Sequence, residues 1–207
     1  MLYSDIVSLS LGYADRVNDT ELAPLLDNML RLVEAKINRF LSVQNMIIRT
    51  QVPMDINTEL YDKPAGYNSI QSIFISPVAN FQSRVQLEYR TSEQMTNIIS
   101  NNLATYKAYY SIIGDKIQVC PLKDSTFNLN VWYFHTVPPL TSVDNSNWCS
   151  ITNPDCYIAG LVAEINAYAK SLDGYTSWKQ RFEDTMKEID LNDQLVTSST
   201  PLVIQIG

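Results

Sequence analysis

Helical periodicity occupies both ends of this chain and is absent from its middle, so the fold must bring two distant helical segments together around an inserted sheet. After the NDT turn, Leu22, Leu25, Leu26, Met29, Val33, Ile37, Phe40 and Leu41 fall on one stripe, with Asp27, Arg31, Glu34 and Asn38 on the other side. That spacing predicts an amphipathic helix to about residue 41, capped by Asp19 or Thr20, with Pro24 tolerated in its first turn. Ile6, Leu9 and Tyr13 predict a shorter helix across roughly 3–16. Near the other end, Asn153 is placed as a cap and Pro154 as a first helical residue, followed by a buried stripe of Ile158, Leu161, Val162, Ile165 and Ala169. Asp173 and Gly174 read as a break, after which Trp178, Phe182, Thr185, Met186 and Ile189 mark a fourth helix to about residue 192.

Residues 43–137 instead carry β-branched and aromatic runs broken by turn residues: NMIIRTQVPM, SIQSIFIS, RVQLEYR, AYYSIIG, KIQVCP and FNLNVWYFH. Gly114-Asp115 supplies a tight turn between two of them, and SEQMTNIISNN has the spacing of a brief helix. The expected fold class is α+β. Helices from both ends form an antiparallel bundle over 1–42 and 150–193, a mostly antiparallel β region is inserted at 43–149, and 194–207 is an extended C-terminal arm.

Composition removes several function classes. The net charge of -7 over 207 residues lacks the basic footprint of a nucleic-acid binder. Three cysteines, Cys120, Cys149 and Cys156, cannot all pair within one chain, and the C-x6-C spacing fits no usual zinc pattern, so reduced, packed thiols are expected. MLYSDIVSLSLGYADR does not resemble a secretory signal, and no apolar run approaches the roughly 20 residues that cross a bilayer. A soluble protein made in a reducing cytoplasm, without membrane contact, is expected.

A search for chemistry finds little. The single histidine, His135, lies at a strand end in WYFHTVPP, where a structural role is the expectation, and no G-x-S-x-G elbow or glycine-rich phosphate cradle is present. Asp55, Glu59 and Asp62 in MDINTELYDK read as a solvated loop rather than a calcium or glycosidase pair. Tyr106, Tyr109, Tyr110, Trp132, Tyr133 and Phe134 are either core and interface residues or a sugar-stacking platform. No catalytic residue, cofactor or metal is expected.

The tail TSSTPLVIQIG is of another kind. Leu202, Val203, Ile204 and Ile206 form an apolar, strand-like run behind a Ser/Thr/Pro hinge. It either adds an edge strand to its own sheet or pairs with another subunit or protein, and these four residues are the candidate partner-binding site.

Two stretches resemble bacteriophage head-to-tail adaptor proteins. LLDNMLRLVEAKINRFL is similar to the family's amino-terminal helix. Y-x-I-x-G-D-K-I-x-V-x-P at Tyr110–Pro121, then NLNVWYFHTVPPLT, the NW pair and the run from TNPDCYIAGL to TMKEI resemble its hairpin, strand exit, loop and closing helix pair. Phe134 and His135 stand where many relatives show a second tyrosine in the strand. The resemblance implies a non-enzymatic virion part at the phage neck: a homo-oligomeric ring, commonly a dodecamer, that binds the portal and a tail or nozzle protein. DNA would pass through its channel without specific binding. A tail-associated carbohydrate-binding module is the alternative, drawn from the aromatics. The last helices and tail, residues 152–207, carry four basic and eight acidic side chains, a net of -4 that suits either passage of DNA through a lumen or simple solubility.

Overall fold

A computed structural model describes residues 1–79, 83–101, 107–121 and 123–198. It contains six α-helices, α1 (Tyr3–Tyr13), α2 (Leu26–Phe40), α3 (Ser92–Ser100), α4 (Trp148–Thr152), α5 (Pro154–Tyr168) and α6 (Leu172–Ser198). Seven strands accompany them: β1 (Ile47–Pro53), β2 (Leu60–Asp62), β3 (Tyr67–Pro77), β4 (Val85–Tyr89), β5 (Ala108–Ile113), β6 (Lys116–Cys120) and β7 (Phe127–His135). The chain divides into two compact units, one formed by residues 1–45 with the chain from 137 onward, the other by 46–136.

In the helical unit α5 is the hub, with α1, α2, α4 and α6 all lying against it. Its burial therefore extends well beyond one stripe: Cys156, Tyr157, Ala159, Gly160 and Ala163 are buried along with Leu161, Val162 and Ile165, whereas Ile158 and Ala169 are only half-buried. A Cβ on Gly160 would lie 2.7 Å from Val33 Cγ1 and 3.1 Å from Phe182 Cε2, so α2 and α6 close on α5 where no side chain fits. Gly174 has a similar reason to be glycine, since a Cβ there would meet Asn166 Oδ1 at 2.4 Å. It lies inside the first turn of α6 rather than in a break. The chain reverses one turn earlier, at Lys170, whose φ is 55°.

Other expectations change at element ends. A 3-10 turn, Ala23–Leu25, precedes α2 and holds Pro24, and the Asp19 carboxylate accepts from the Glu21 and Leu22 amides ahead of that turn instead of capping the helix. Asn153 forms no cap hydrogen bond; Asn147 caps α4, its Oδ1 accepting from the Ser150 amide at 2.8 Å. On α1 the buried pair is Ile6 and Ser10, while Leu9 and Tyr13 are exposed, with the Tyr13 ring 5.4 Å from that of Trp178 on α6. The Tyr3 hydroxyl ties α1 to α2 by donating to Asp27 at 2.6 Å. Of the stripe Trp178, Phe182, Thr185, Met186 and Ile189 on α6, the last four are buried and Trp178 is half-buried, and the helix continues through residues 194–198.

The second unit is a mixed sheet in the order β1-β7-β3-β4-β5-β6-β2. Every pairing is antiparallel except β4 with β5, which the chain makes parallel by crossing back through α3. Thr91 and Gln94 form a capping box at the start of α3, and Met95 on it is fully buried. Residues from both halves of the sheet share one core: Tyr61 on β2 and Ile117 on β6 join Ile73 on β3 and Val131 on β7, so the sheet curls around its apolar face. β2 lies within the stretch expected to be a solvated loop; three residues are too few to show a period, yet they pair with β6 and bury Tyr61. The β5–β6 hairpin turns at Gly114-Asp115, with Ile113 opposite Lys116 and Gly114 at φ 58°.

Candidate assembly surface

The titratable groups are built into the fold. His135 Nδ1–H donates to the Thr136 carbonyl, and its ring occupies the space that a Cβ on Gly66 would need, which explains the glycine. The three cysteines are free thiols. Cys149 and Cys156 are fully buried, and hydrogen bonding between them, followed by burial, pushes the Cys156 thiol far up, so it stays protonated and unreactive. Asp62 pairs with Lys116, and Asp55 accepts from the Asn57 amide within its own turn. Among the described residues no cluster of three or more His, Cys, Asp or Glu is placed to hold a metal ion.

The aromatic residues do not share a face. Tyr110 and Tyr133 pack on the sheet core, so their neighbours Tyr109 and Phe134 point the other way, and Tyr106 lies outside the described residues. On that outer face Trp132 is sandwiched: the Arg49 guanidinium sits 3.9 Å from its ring centre, and Phe74 meets it edge-on at 5.4 Å.

One buried polar network stands out in the helical unit. Glu34, expected on the solvent side of α2, is only 6% exposed. Its carboxylate accepts from the Leu140 amide at 2.6 Å and the Tyr157 hydroxyl at 3.2 Å, while Asn147 Nδ2 donates to Tyr157 and to the Pro138 carbonyl, both at 2.8 Å. Burial pushes the Glu34 carboxyl up, partly opposed by those two hydrogen bonds and by Arg31. The network pins the irregular segment after β7 onto α2 and α5 and so fixes the surface on either side of it.

That surface carries exposed apolar groups. Leu9 and Tyr13 on α1, Leu32 on α2, and Leu191, Leu195 and Val196 near the end of α6 are exposed. Between α2 and α6 runs an open groove of about 360 Å³. Phe182 and Met186 form its floor, Phe40 stands 48% exposed at its side, and Lys36, Arg39, Lys179 and Lys187 rim it. Sequence reading assigned Phe40 to the buried stripe; it is the last residue of α2, where the basic neighbours Lys36 and Arg39 were the available sign that this turn faces water. The candidate partner-binding residues Leu202, Val203, Ile204 and Ile206 lie outside the described residues.

The fold and this surface define an α+β protein with exposed apolar packing faces on its helical unit. The family model of the SU10 adaptor protein matches residues 1–205, and the chain belongs to that family of bacteriophage structural adaptors. None of the curated proteins compared with it matches the chain. Among the described residues no helix is long and apolar enough to cross a membrane.

Proposed function

We propose that this chain is the head-to-tail adaptor of its phage, assembling as a ring, of twelve copies in the commonest arrangement, between the portal and a tail or nozzle protein. The observation that carries the reading is the adaptor-family match along almost the whole chain. The helical unit serves as the bundle that builds the ring body, and the ring continues the DNA channel from capsid to tail. Such a ring needs a heterologous interface, one face of a subunit fitting a different face of its neighbour, and exposed Leu9, Leu32, Leu191 and Leu195 supply apolar material for it.

Leu202, Val203, Ile204 and Ile206 act as a docking arm for the portal or a neighbouring adaptor. The net of -4 over residues 152–207 suits a channel wall that DNA slides past without adhering. The test is to mix the protein with its portal and measure mass and rotational symmetry by light scattering and electron microscopy. A closed ring seated on the portal is expected. A chain that remains monomeric beside a bare portal contradicts the proposal.

A further inference from the structure

We propose that the basic-rimmed groove between α2 and α6 receives the acidic, leucine-bearing end of α6 from a second copy of this chain. The inference rests on the ring reading above and goes further, by naming two surfaces that meet between neighbours.

The groove asks for a segment that is apolar at its centre and negative at its edge. Phe182 and Met186 form the floor with Phe40 beside them, while four cations and a single carboxylate, Glu183, line the opening. Three of the cations have partners: Lys36 Nζ lies 2.5 Å from Glu164, Lys187 Nζ 3.1 Å from Asp184, and Lys179 Nζ 3.8 Å from Glu183. The last two are exposed pairs within one helix and hold weakly, so their lysines can turn to an incoming carboxylate. Among the described residues no ion pair reaches Arg39, whose Nε–H donates to the Ala35 carbonyl of its own helix. The rest of its guanidinium is left for a carboxylate, which it can hold with two parallel hydrogen bonds. Even with Glu164 and Asp184 counted, four cations face three carboxylates.

The end of α6 has the matching character. The helix has 27 residues against the 15 of α5, an excess of 12 that is about 18 Å at 1.5 Å per residue, so it outruns the helix it packs on. Its buried stripe ends at Ile189, and Asp193 one turn later accepts from the Gln44 amide at 3.0 Å on that inner side. Glu188, Leu191 and Leu195 fall at i, i+3 and i+7 on the side away from that stripe, and the two leucines are 57% and 60% exposed. After Lys187 the helix carries Glu188, Asp190 and Asp193 and no cation, a net of -3. Leucines behind a glutamate thus meet an apolar floor behind an arginine.

The inserting end must come from another copy. Within one chain Leu195 stands 13 residues beyond Phe182 on a single continuous helix, about 20 Å along its axis, and cannot fold back onto it. Copies with a net charge of -7 repel one another on average, so a local basic groove facing a local acidic helix end gives them one attractive way to meet. One face receiving and a different element inserting is a heterologous contact of the kind that closes a ring.

The test is a charge exchange in the full chain, with Leu195→p-benzoylphenylalanine as a photo-cross-linker in a mixture of ¹⁴N and ¹⁵N copies, alone and with the portal. Mass spectrometry is expected to find links from position 195 to peptides containing Phe40 or Phe182 of the opposite isotope. Arg39→Glu and, separately, Glu188→Arg, both at exposed positions, are each expected to reduce those links about tenfold, and the variant carrying both to recover them. Links confined to the same isotope, links landing elsewhere or only on the portal, or a combined variant no better than the single ones would overturn the inference. Light scattering on the same samples reads assembly separately. A ring with links elsewhere defeats the docking contact and leaves the adaptor reading standing, whereas links at the groove within a closed pair of copies support the contact and contradict the ring.

Discussion

At the scale of single residues, Glu34 carries the clearest consequence. Its carboxylate accepts from the Leu140 amide and the Tyr157 hydroxyl, so Glu34→Ala leaves two buried donors without an acceptor and should cost about 1–3 kcal/mol for each. Glu34→Gln keeps an accepting oxygen and separates shape from charge. Because burial raises the carboxyl above its unfolded value, the folded state holds its proton to higher pH than the unfolded chain. Wild-type stability should therefore fall relative to Glu34→Gln as pH rises from about 4.3, the unfolded value, through the raised folded one. Denaturant unfolding of both proteins across that range checks the sign, and parallel curves would refute it. This role was hidden in the sequence, since a glutamate three residues from Arg31 on an amphipathic helix reads as solvated; only the segment returning after β7 buries it. His135 was legible by contrast, because a lone histidine with no nucleophile beside it has little but packing to do. Removing it should uncover no lost turnover, and an activity that vanished in His135→Ala would favour an enzyme instead.

Among elements, the tight approach at Gly160 sets how α2, α5 and α6 meet. Gly160→Ala would add helix propensity worth about 1 kcal/mol, but its methyl must displace the stiff Val33 side chain, so a net loss of about 1–3 kcal/mol is expected. In a Val33→Ala background the same change should be neutral or stabilising. A double-mutant cycle by thermal unfolding measures this, and simple additivity would show that the contact does not control packing. The long elements were readable because their signals are strong: α2, α5 and α6 follow from apolar spacing, and six of the seven strands from β-branched and aromatic runs broken by turn residues. What escaped has a physical cause in each case. β2 has three residues and no measurable period, α4 is a single capped turn and a half, and Gly174 carries the chemistry of a stop signal while actually making room for Asn166. α5 was under-read because a hub helix is apolar on nearly every side, which flattens the contrast that periodicity detects.

For the whole molecule, two compact units and exposed apolar groups on the helical one fit a part whose work is adhesion between copies and to its neighbours. Removing residues 198–207 should leave thermal unfolding of the monomer close to wild type, since the described core lies elsewhere, while joining to filled capsids drops sharply. Undiminished joining would remove the arm from the account. Function at this scale was legible only through family resemblance, because an adhesive surface has no motif comparable to a catalytic triad and its partners leave no imprint in a single chain. The most direct test is electron cryo-microscopy of the virion neck with symmetry left unimposed. The account predicts this polypeptide there as a closed, rotationally repeated ring between portal and tail; a neck without it, or with it present in a single unrepeated copy, contradicts the account.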